Sequence, residues 1–214
     1  MENKEINSCL MLGVNLMTPV DLGCVFDTAD LKDTGVELDS HITLLFAQGK
    51  IINKQEVMPD IKTILGEEDY YKLLNLCKKE CAFKVLNFFE LSSFENDSDY
   101  IILKLKKNTD FYLRLFNINK GLRNKYDVSS DFDNYTPHIS LAELQPGTAK
   151  KYLENGNLKL ILNETYIDFE DIFISYGGSG EVDRKQYFLT RFKCLDRYFR
   201  LQKLKIYNEE LTRE

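Results

Sequence analysis

The chain has 214 residues, of which 43% are apolar and 12% aromatic, enough to bury one substantial core. It carries 28 basic and 34 acidic residues and a net charge of −6, whereas a protein that neutralises many phosphates of long DNA or RNA is normally basic. No stretch approaches the roughly 18 consecutive apolar residues of a membrane-spanning helix. These features exclude membrane-spanning and disordered classes and disfavour a long nucleic acid polymer as partner. A short nucleotide still fits, because a concave local site can oppose the sign of the whole chain.

The N-terminus and the cysteines indicate a reducing compartment. Residues 1–5 lack the basic and then apolar run of a signal peptide. Five cysteines without regular spacing are typical of reduced thiols rather than a disulfide framework. Cys77 and Cys81 lie one helical turn apart, but with no histidine nearby core packing is favoured over a metal site. We therefore expect a cytoplasmic protein that needs neither a metal nor another cofactor.

The first part of the chain predicts strands separated by a long loop, followed by two helices. The continuous apolar run 7–16 predicts a buried strand, and 41–46 predicts another. Between them, residues 21–40 are rich in Asp, Thr and Gly, which indicates a surface loop. The two helices are predicted from apolar residues at helical spacing on either side of Gly66, namely Val57, Ile61 and Ile64 and then Tyr70, Leu74, Cys77 and Cys81.

The second part predicts a hairpin, a long helix and further strands. Phe111, Leu115, Ile118 and Leu122 repeat at helical spacing, and the polar residues at 108–110 are candidate caps. Pro137 favours a strand start or a sheet edge. The remaining predicted elements are the hairpin strands 82–94 and 100–106, an acidic loop 129–134, a strand 136–144, a short helix 147–154, and strands 165–176 and 186–192.

The order of these elements predicts the fold class. Strands and helices do not alternate strictly, so α+β with antiparallel sheets is favoured over a doubly wound parallel sheet. No linker or shift in composition divides the chain, which indicates a single domain over 1–214. Residues 194–211 predict a basic amphipathic helix packed on the body. Its cations form either a solvated face or a surface for an acidic partner.

The chain contains only two histidines, and both stand in matching four-residue segments: HITL at 41–44 and HISL at 138–141. Close to half of the chain separates them, which indicates a diverged internal duplication. Residues i and i+2 of a strand face the same side. His41 is therefore expected to share a face with Thr43, and His138 with Ser140.

An imidazole beside a hydroxyl suits the cleavage of a phosphodiester. One proton must leave the attacking oxygen and another must reach the departing oxygen, and histidine titrates near neutral pH. Each hydroxyl can donate a hydrogen bond to a non-bridging phosphate oxygen, where charge develops. This scheme requires no metal. A single histidine in a strand is more often structural, but the matched pair favours catalysis.

The two segments resemble the motifs of the two-histidine (2H) phosphoesterases, which include LigT-type 2′-5′ RNA ligases and cyclic phosphodiesterases. The resemblance is carried by HITL at 41–44 and YTPHISL at 135–141, and the architecture covers roughly 7–192. It implies a bilobal pseudo-symmetric fold in which two antiparallel sheets line a central cleft, with helices outside. It also implies that His41 and His138 are the acid and base and that Thr43 and Ser140 hold the phosphate. Ser40 stands where the family often has a proline.

The strand and loop leading into HITLLF resemble the bacteriophage branch of this family, whose members include anti-CBASS nucleases that destroy cyclic oligonucleotides of bacterial immunity. The resemblance implies a metal-independent phosphodiesterase acting on small cyclic or 2′-5′/3′-5′-linked oligonucleotides, in the host cytosol if the chain is viral. Two alternatives are a 2′,3′-cyclic phosphodiesterase of the RNA-processing type and a non-catalytic protein that sequesters a nucleotide. The motifs leave open which histidine is the base and whether water or a ribose hydroxyl attacks.

Four more residues are candidates for substrate binding. Tyr135 and Tyr176 flank the predicted active strands and are placed to stack on a base, although aromatics at strand ends are also typical of a core. Gly177 and Gly178 belong to a Gly-Gly-Ser-Gly run that can present backbone amides to a phosphate. A flexible hairpin turn is the alternative interpretation of that run.

Overall fold

The described part of the chain folds into two antiparallel four-stranded sheets with helices packed against them. This architecture comes from a computed structural model that describes residues 7–48, 61–77, 83–126 and 135–176, together with Tyr198, Phe199 and Gln202. The strands in these ranges are β1 (Asn7–Met17), β2 (Leu31–Val36), β3 (His41–Gln48), β4 (Phe83–Lys84), β5 (Phe89–Glu95), β6 (Asp99–Leu105), β7 (His138–Leu144) and β8 (Tyr166–Tyr176). The α-helices are α1 (Ile61–Leu65), α2 (Glu67–Cys77), α3 (Val85–Phe88), α4 (Asp110–Tyr126), α5 (Ala149–Glu154) and α6 (Asn157–Asn163). The α+β class with antiparallel sheets is confirmed.

The order of strands in each sheet separates the two histidine segments. The first sheet has the order β3-β1-β8-β4, and the second has β2-β7-β6-β5. His41 is the first residue of β3, which is at one end of the first sheet among the described strands, and His138 is the first residue of β7, inside the second sheet. The two candidate segments therefore belong to different sheets.

Both sheets contribute to one hydrophobic cluster. It includes the fully buried Leu12 and Ile42 of the first sheet and Leu103 and Ile139 of the second. Helix α4 adds Leu115, Ile118 and Leu122, the residues whose spacing predicts this helix. At its start the Thr109 hydroxyl accepts a hydrogen bond from the Tyr112 amide at 3.1 Å, as expected for a capping residue.

Gly66 separates α1 from α2, as predicted. Its φ is +86°, in the left-handed region that glycine adopts at little cost and that commonly ends a helix. The Gly66 amide donates to the Lys62 carbonyl at 2.9 Å, which closes the last turn of α1. The helix break at Gly66 separates two short helices that contact each other.

The surface loop predicted over 21–40 is wrong in part, because it contains a short 3₁₀ helix at Leu22–Cys24 and the strand β2. β2 pairs with β7 through Leu31 and Val36, with an irregularity between these positions. Its sequence LKDTGV has little apolar alternation. Pairing with β7 orders it as a strand, and that non-local contact is invisible to a local pattern.

Two further elements differ from the prediction. The single strand predicted over 82–94 is in fact β4, the helical turn α3 and β5, because the chain leaves the first sheet and enters the second here. The helix predicted over 147–154 is α5, and a second helix, α6, follows it unpredicted. Gly156, with φ at +74°, breaks the two apart.

Several predicted features lie outside the described residues. They are Val57, Cys81, Gly177, Gly178, the loop 129–134, the strand 186–192 and most of the basic segment 194–211. Within that segment Tyr198, Phe199 and Gln202 are helical, with the Tyr198 side chain buried and Phe199 exposed. Among the described helices, none has the length and apolar character needed to cross a membrane.

Candidate active site

Burial along β3 and β7 follows the alternation expected of a strand. Ile42 and Ile139 are fully buried, whereas His41, Thr43, His138 and Ser140 are half-buried. In each strand the histidine and the hydroxyl residue two positions later therefore share the face that is not packed into the core.

Both histidine rings are held by the same kind of hydrogen bond. The Nδ1 atom of His41 lies 2.6 Å from the Asp39 carbonyl, and that of His138 lies 2.8 Å from the Thr136 carbonyl. A carbonyl oxygen only accepts, so Nδ1 carries the proton in both rings. Each Nε2 is then left to take or to give a proton. In both cases the acceptor is the carbonyl two residues before the histidine.

The two strands also share a β-bulge at the leucine three residues after the histidine. The register of β3 with β1 skips Leu44, and the register of β7 with β6 skips Leu141. The skipped residue bends the strand and changes the direction of the residues that follow. The likeness of the two segments therefore extends from their sequence to their backbone geometry.

Contacts between β3 and β7 bring the two histidine segments together. The strands pack against each other, and the Tyr135 hydroxyl donates to the Thr43 carbonyl at 2.8 Å. Helix α4 supports the same strand, because the buried Asn119 side chain donates to the Leu44 carbonyl at 2.8 Å. The charge of His41 is close enough to lower the pKa of His138. Two residues distant in sequence thus interact electrostatically.

Burial is the larger reason why the pKa of His138 lies below its ordinary value. The hydrogen bond to the Thr136 carbonyl raises this pKa, and repulsion from His41 lowers it further. Phe94 of β5 packs edge-on against the imidazole, with ring centroids 4.9 Å apart and planes at 90°. Burial against an aromatic ring disfavours the charged imidazolium. His138 is therefore held mainly neutral near neutral pH.

The register of β6 with β7 adds a cation that sequence reasoning missed. Lys104 pairs with His138, and the neighbouring Leu105 amide donates to the Pro137 carbonyl at 3.0 Å. Lys104 and His138 therefore form a non-hydrogen-bonded pair, the kind whose side chains lie closest. Lys104 Nζ is 3.8 Å from a carboxylate oxygen of Glu90 on β5. Strand register is set by tertiary pairing, so neither this lysine nor Phe94 had a signal in the sequence.

On the first sheet, Gly13 of β1 pairs with His41. A Cβ atom at this glycine would come within 3.3 Å of both a Phe173 ring carbon and the Asp171 carbonyl oxygen. The missing side chain thus lets the Phe173 ring lie close to β1 at Gly13, the register partner of His41. Sequence reasoning did not single out Phe173.

The other predicted substrate-binding residues are placed only in part. Tyr135 is half-buried against the core cluster, and burial raises the pKa of its hydroxyl. Its role in stacking on a base stays a prediction. Tyr176 ends β8 in register with Ser8, but its side chain is outside the described part of the molecule, as are Gly177 and Gly178. In the part of the chain that the structure describes, no three His, Cys, Asp or Glu side chains are arranged to hold a metal ion.

Comparison with known proteins gives no further indication of function. No protein-family model and no curated protein matches the chain. Function therefore has to be inferred from the residues and their geometry.

Proposed function

We propose that the protein is a metal-independent phosphodiesterase that cleaves small cyclic or 2′-5′/3′-5′-linked oligonucleotides by acid–base catalysis between His41 and His138. The observation that carries this proposal is the matched anchoring of the two imidazoles through Nδ1, on strands that pack against each other. Anchored rings hold their Nε2 atoms in fixed directions, which proton transfer requires. The net charge of −6 favours a small substrate over a long polymer.

In this mechanism His138 is the general base, because the lowered pKa keeps its Nε2 unprotonated near neutral pH. His138 Nε2 takes the proton of a ribose hydroxyl next to the scissile phosphate, and that oxygen forms a bond to phosphorus. The bond from phosphorus to the leaving oxygen breaks, and His41 Nε2 gives its proton to that oxygen. The product is a cyclic phosphate on the ribose. In the hydrolytic variant a water molecule replaces the ribose hydroxyl as nucleophile.

Thr43 and Ser140 complete the proposed site from the same strands. Their hydroxyls donate to the non-bridging oxygens of the phosphate, where negative charge increases in the transition state. In the bilobal fold that the resemblance implies, the substrate would bind in a cleft between a lobe that contains β3 and a lobe that contains β7. The cyclic oligonucleotides of bacterial immunity are the substrate class that the bacteriophage branch suggests.

Incubation with cyclic di- and trinucleotides in EDTA, followed by separation of the products, tests this proposal. Cleavage in EDTA supports it. Recovery of the intact nucleotide after denaturation of the protein indicates a sequestering protein instead. Turnover restricted to 2′,3′-cyclic ends indicates the RNA-processing type of phosphodiesterase. A His41→Ala/His138→Ala double variant purified in parallel excludes a contaminating nuclease.

The rate should depend on pH with an acid limb governed by His138. A base must be unprotonated, and its pKa is lowered from the ordinary value of about 6.5. The midpoint of the acid limb of kcat/KM is therefore expected below that value. Phe94→Ala exposes the imidazole to water, relieves part of the desolvation and raises the pKa of His138. The acid limb should then move to higher pH.

A matched control for this experiment is Phe83→Ala on β4, which also removes one ring of an edge-on aromatic pair. It should leave the midpoint of the acid limb unchanged. An acid limb that Phe94→Ala does not move would contradict His138 as the base. A shift of the alkaline limb instead would indicate that His138 is the acid and His41 the base. Lys104 and Glu90, the charged neighbours of His138 from β6 and β5, are retained in both variants.

A further inference from the structure

Lys104 and Glu90 form a charged pair on the same face of the second sheet as His138, and the mechanism above leaves them without a role. Their side chains are 30% and 53% exposed, and Nζ lies 3.8 Å from the carboxylate oxygen. An ion pair this exposed contributes little to stability. Lys104 stands between Leu103 and Leu105, both fully buried, so its side chain lies on the opposite face of β6 from theirs.

The register places Lys104 next to one of the two proposed catalytic residues. Lys104 is the direct partner of His138 in a non-hydrogen-bonded pair, in which Cα atoms are about 4.5 Å apart. His41 approaches β7 from β3 of the first sheet, whereas Lys104 comes from β6, the neighbour of β7 within the second sheet. Lys104 therefore stands next to His138 on the second sheet, and its ammonium group lies toward Glu90 of β5.

A lysine ammonium is a compact charge that binds phosphate without needing a particular orientation. Before substrate binds, Glu90 serves as its counter-ion at a distance longer than a hydrogen bond. Because the contact is loose and exposed, a phosphate can replace the carboxylate at little cost. Such a phosphate would be the neighbour of the scissile one along an oligonucleotide.

We propose that Lys104 binds a second phosphate of the substrate and that this phosphate displaces Glu90. The inference rests on the proposed function and narrows its substrate class. Preferred substrates carry at least two phosphates, as cyclic dinucleotides and terminally phosphorylated dinucleotides do. A mononucleotide 2′,3′-cyclic phosphate has only one and is disfavoured.

Equilibrium binding separates this inference from catalysis. The ligands are the dinucleotide ApA and its terminally phosphorylated forms pApA and ApAp, each with 2′-5′ and 3′-5′ linkages. They are titrated into a His41→Ala/His138→Ala parent, which does not turn them over. At least one phosphorylated form should bind the parent roughly tenfold more tightly than ApA, the effect of one charge-assisted contact. When Lys104→Gln is added to this parent, the phosphorylated form should bind no more tightly than ApA. When Glu90→Gln is added instead, the difference in affinity should increase.

The matched control is Lys84→Gln in the same parent. Lys84 also pairs with a glutamate, Glu164, at 3.6 Å and with similar exposure, but it lies on β4 of the first sheet. The Lys84→Gln variant should keep the parent's ratio of affinities between the phosphorylated form and ApA. Equal binding of all ligands by the parent, an unchanged ratio in Lys104→Gln, or an equal loss in Lys84→Gln would each overturn the inference.

Cleavage of the same ligands by the protein with both histidines reports on the proposed function separately. If the binding ratio depends on Lys104 but nothing is cleaved, the second-phosphate site stands and the phosphodiesterase proposal fails. If ApA, pApA and ApAp are all cleaved with the same kcat/KM, both by the unmodified protein and by Lys104→Gln, the phosphodiesterase stands and the second-phosphate site fails. Absence of binding and of cleavage refutes both.

Discussion

Replacing either His41 or His138 with alanine should lower turnover of a phosphodiester by roughly 10²- to 10⁴-fold, the contribution typical of a positioned acid or base. The double variant should lose little more than either single variant, because the acid and the base act as a unit. Both rings are half-buried on the face away from the core, so the fold should persist. The comparison is made from kcat and kcat/KM, with thermal unfolding measured on every variant.

A more conservative substitution separates catalysis from positioning. In the unmodified protein the Nδ1 atom of His138 contacts the Thr136 carbonyl at 2.8 Å. In His138→Asn the side-chain amide can still donate to this carbonyl, but the asparagine side chain does not titrate. The activity loss should match that of His138→Ala. A rate near that of the unmodified protein in either alanine variant would refute the two-histidine mechanism.

Removing the hydroxyl of Thr43 or Ser140 by substitution with alanine should lower kcat by roughly 10²- to 10³-fold, as for loss of one donor to developing negative charge. The loss should appear mainly in kcat, because the hydrogen bond strengthens as the charge develops. At Thr43 the backbone carbonyl that accepts from Tyr135 is unchanged by the substitution. The contact between the two histidine strands is therefore retained.

Exchange of the two hydroxyl types provides the rescue experiment. Thr43→Ser and Ser140→Thr each keep a donor in place and should retain most of the activity, whereas Thr43→Val has the shape of threonine and should behave like the alanine variant. Ser93→Ala on β5 is the control, since the Ser93 hydroxyl donates to Glu95 at 3.1 Å, away from both histidine strands. A hydroxyl-free variant with an unchanged kcat would remove that residue from the mechanism.

Elements with a strong local pattern were predicted closely from the sequence. The apolar run at the start of the chain is β1, the hairpin around residues 95–99 joins β5 to β6, and the spacing of Leu115, Ile118 and Leu122 marks α4. These patterns work because burial on one face repeats with the period of the element. The prediction failed at β2 and at residues 82–94, where pairing with a distant strand or a change of sheet decides the local structure.

The candidate site likewise has a part that the sequence predicted and a part that depends on the tertiary structure. Which residues share a face follows from the two-residue period of a strand, so the sequence alone pairs His41 with Thr43 and His138 with Ser140. The sequence also determined which groups are present for acid–base catalysis, since the chain has only two imidazoles and each has a hydroxyl residue two positions later.

Only the tertiary structure decided what surrounds those residues. Packing of β3 against β7 places the charge of His41 where it affects His138. Strand register pairs Lys104 with His138, and the Phe94 ring packs edge-on against the same imidazole. Strand pairing joins residues far apart in the chain and depends on how the whole core is buried, which no local pattern encodes. The pairs within each strand are thus properties of the sequence, whereas the meeting of the two strands is a property of the fold.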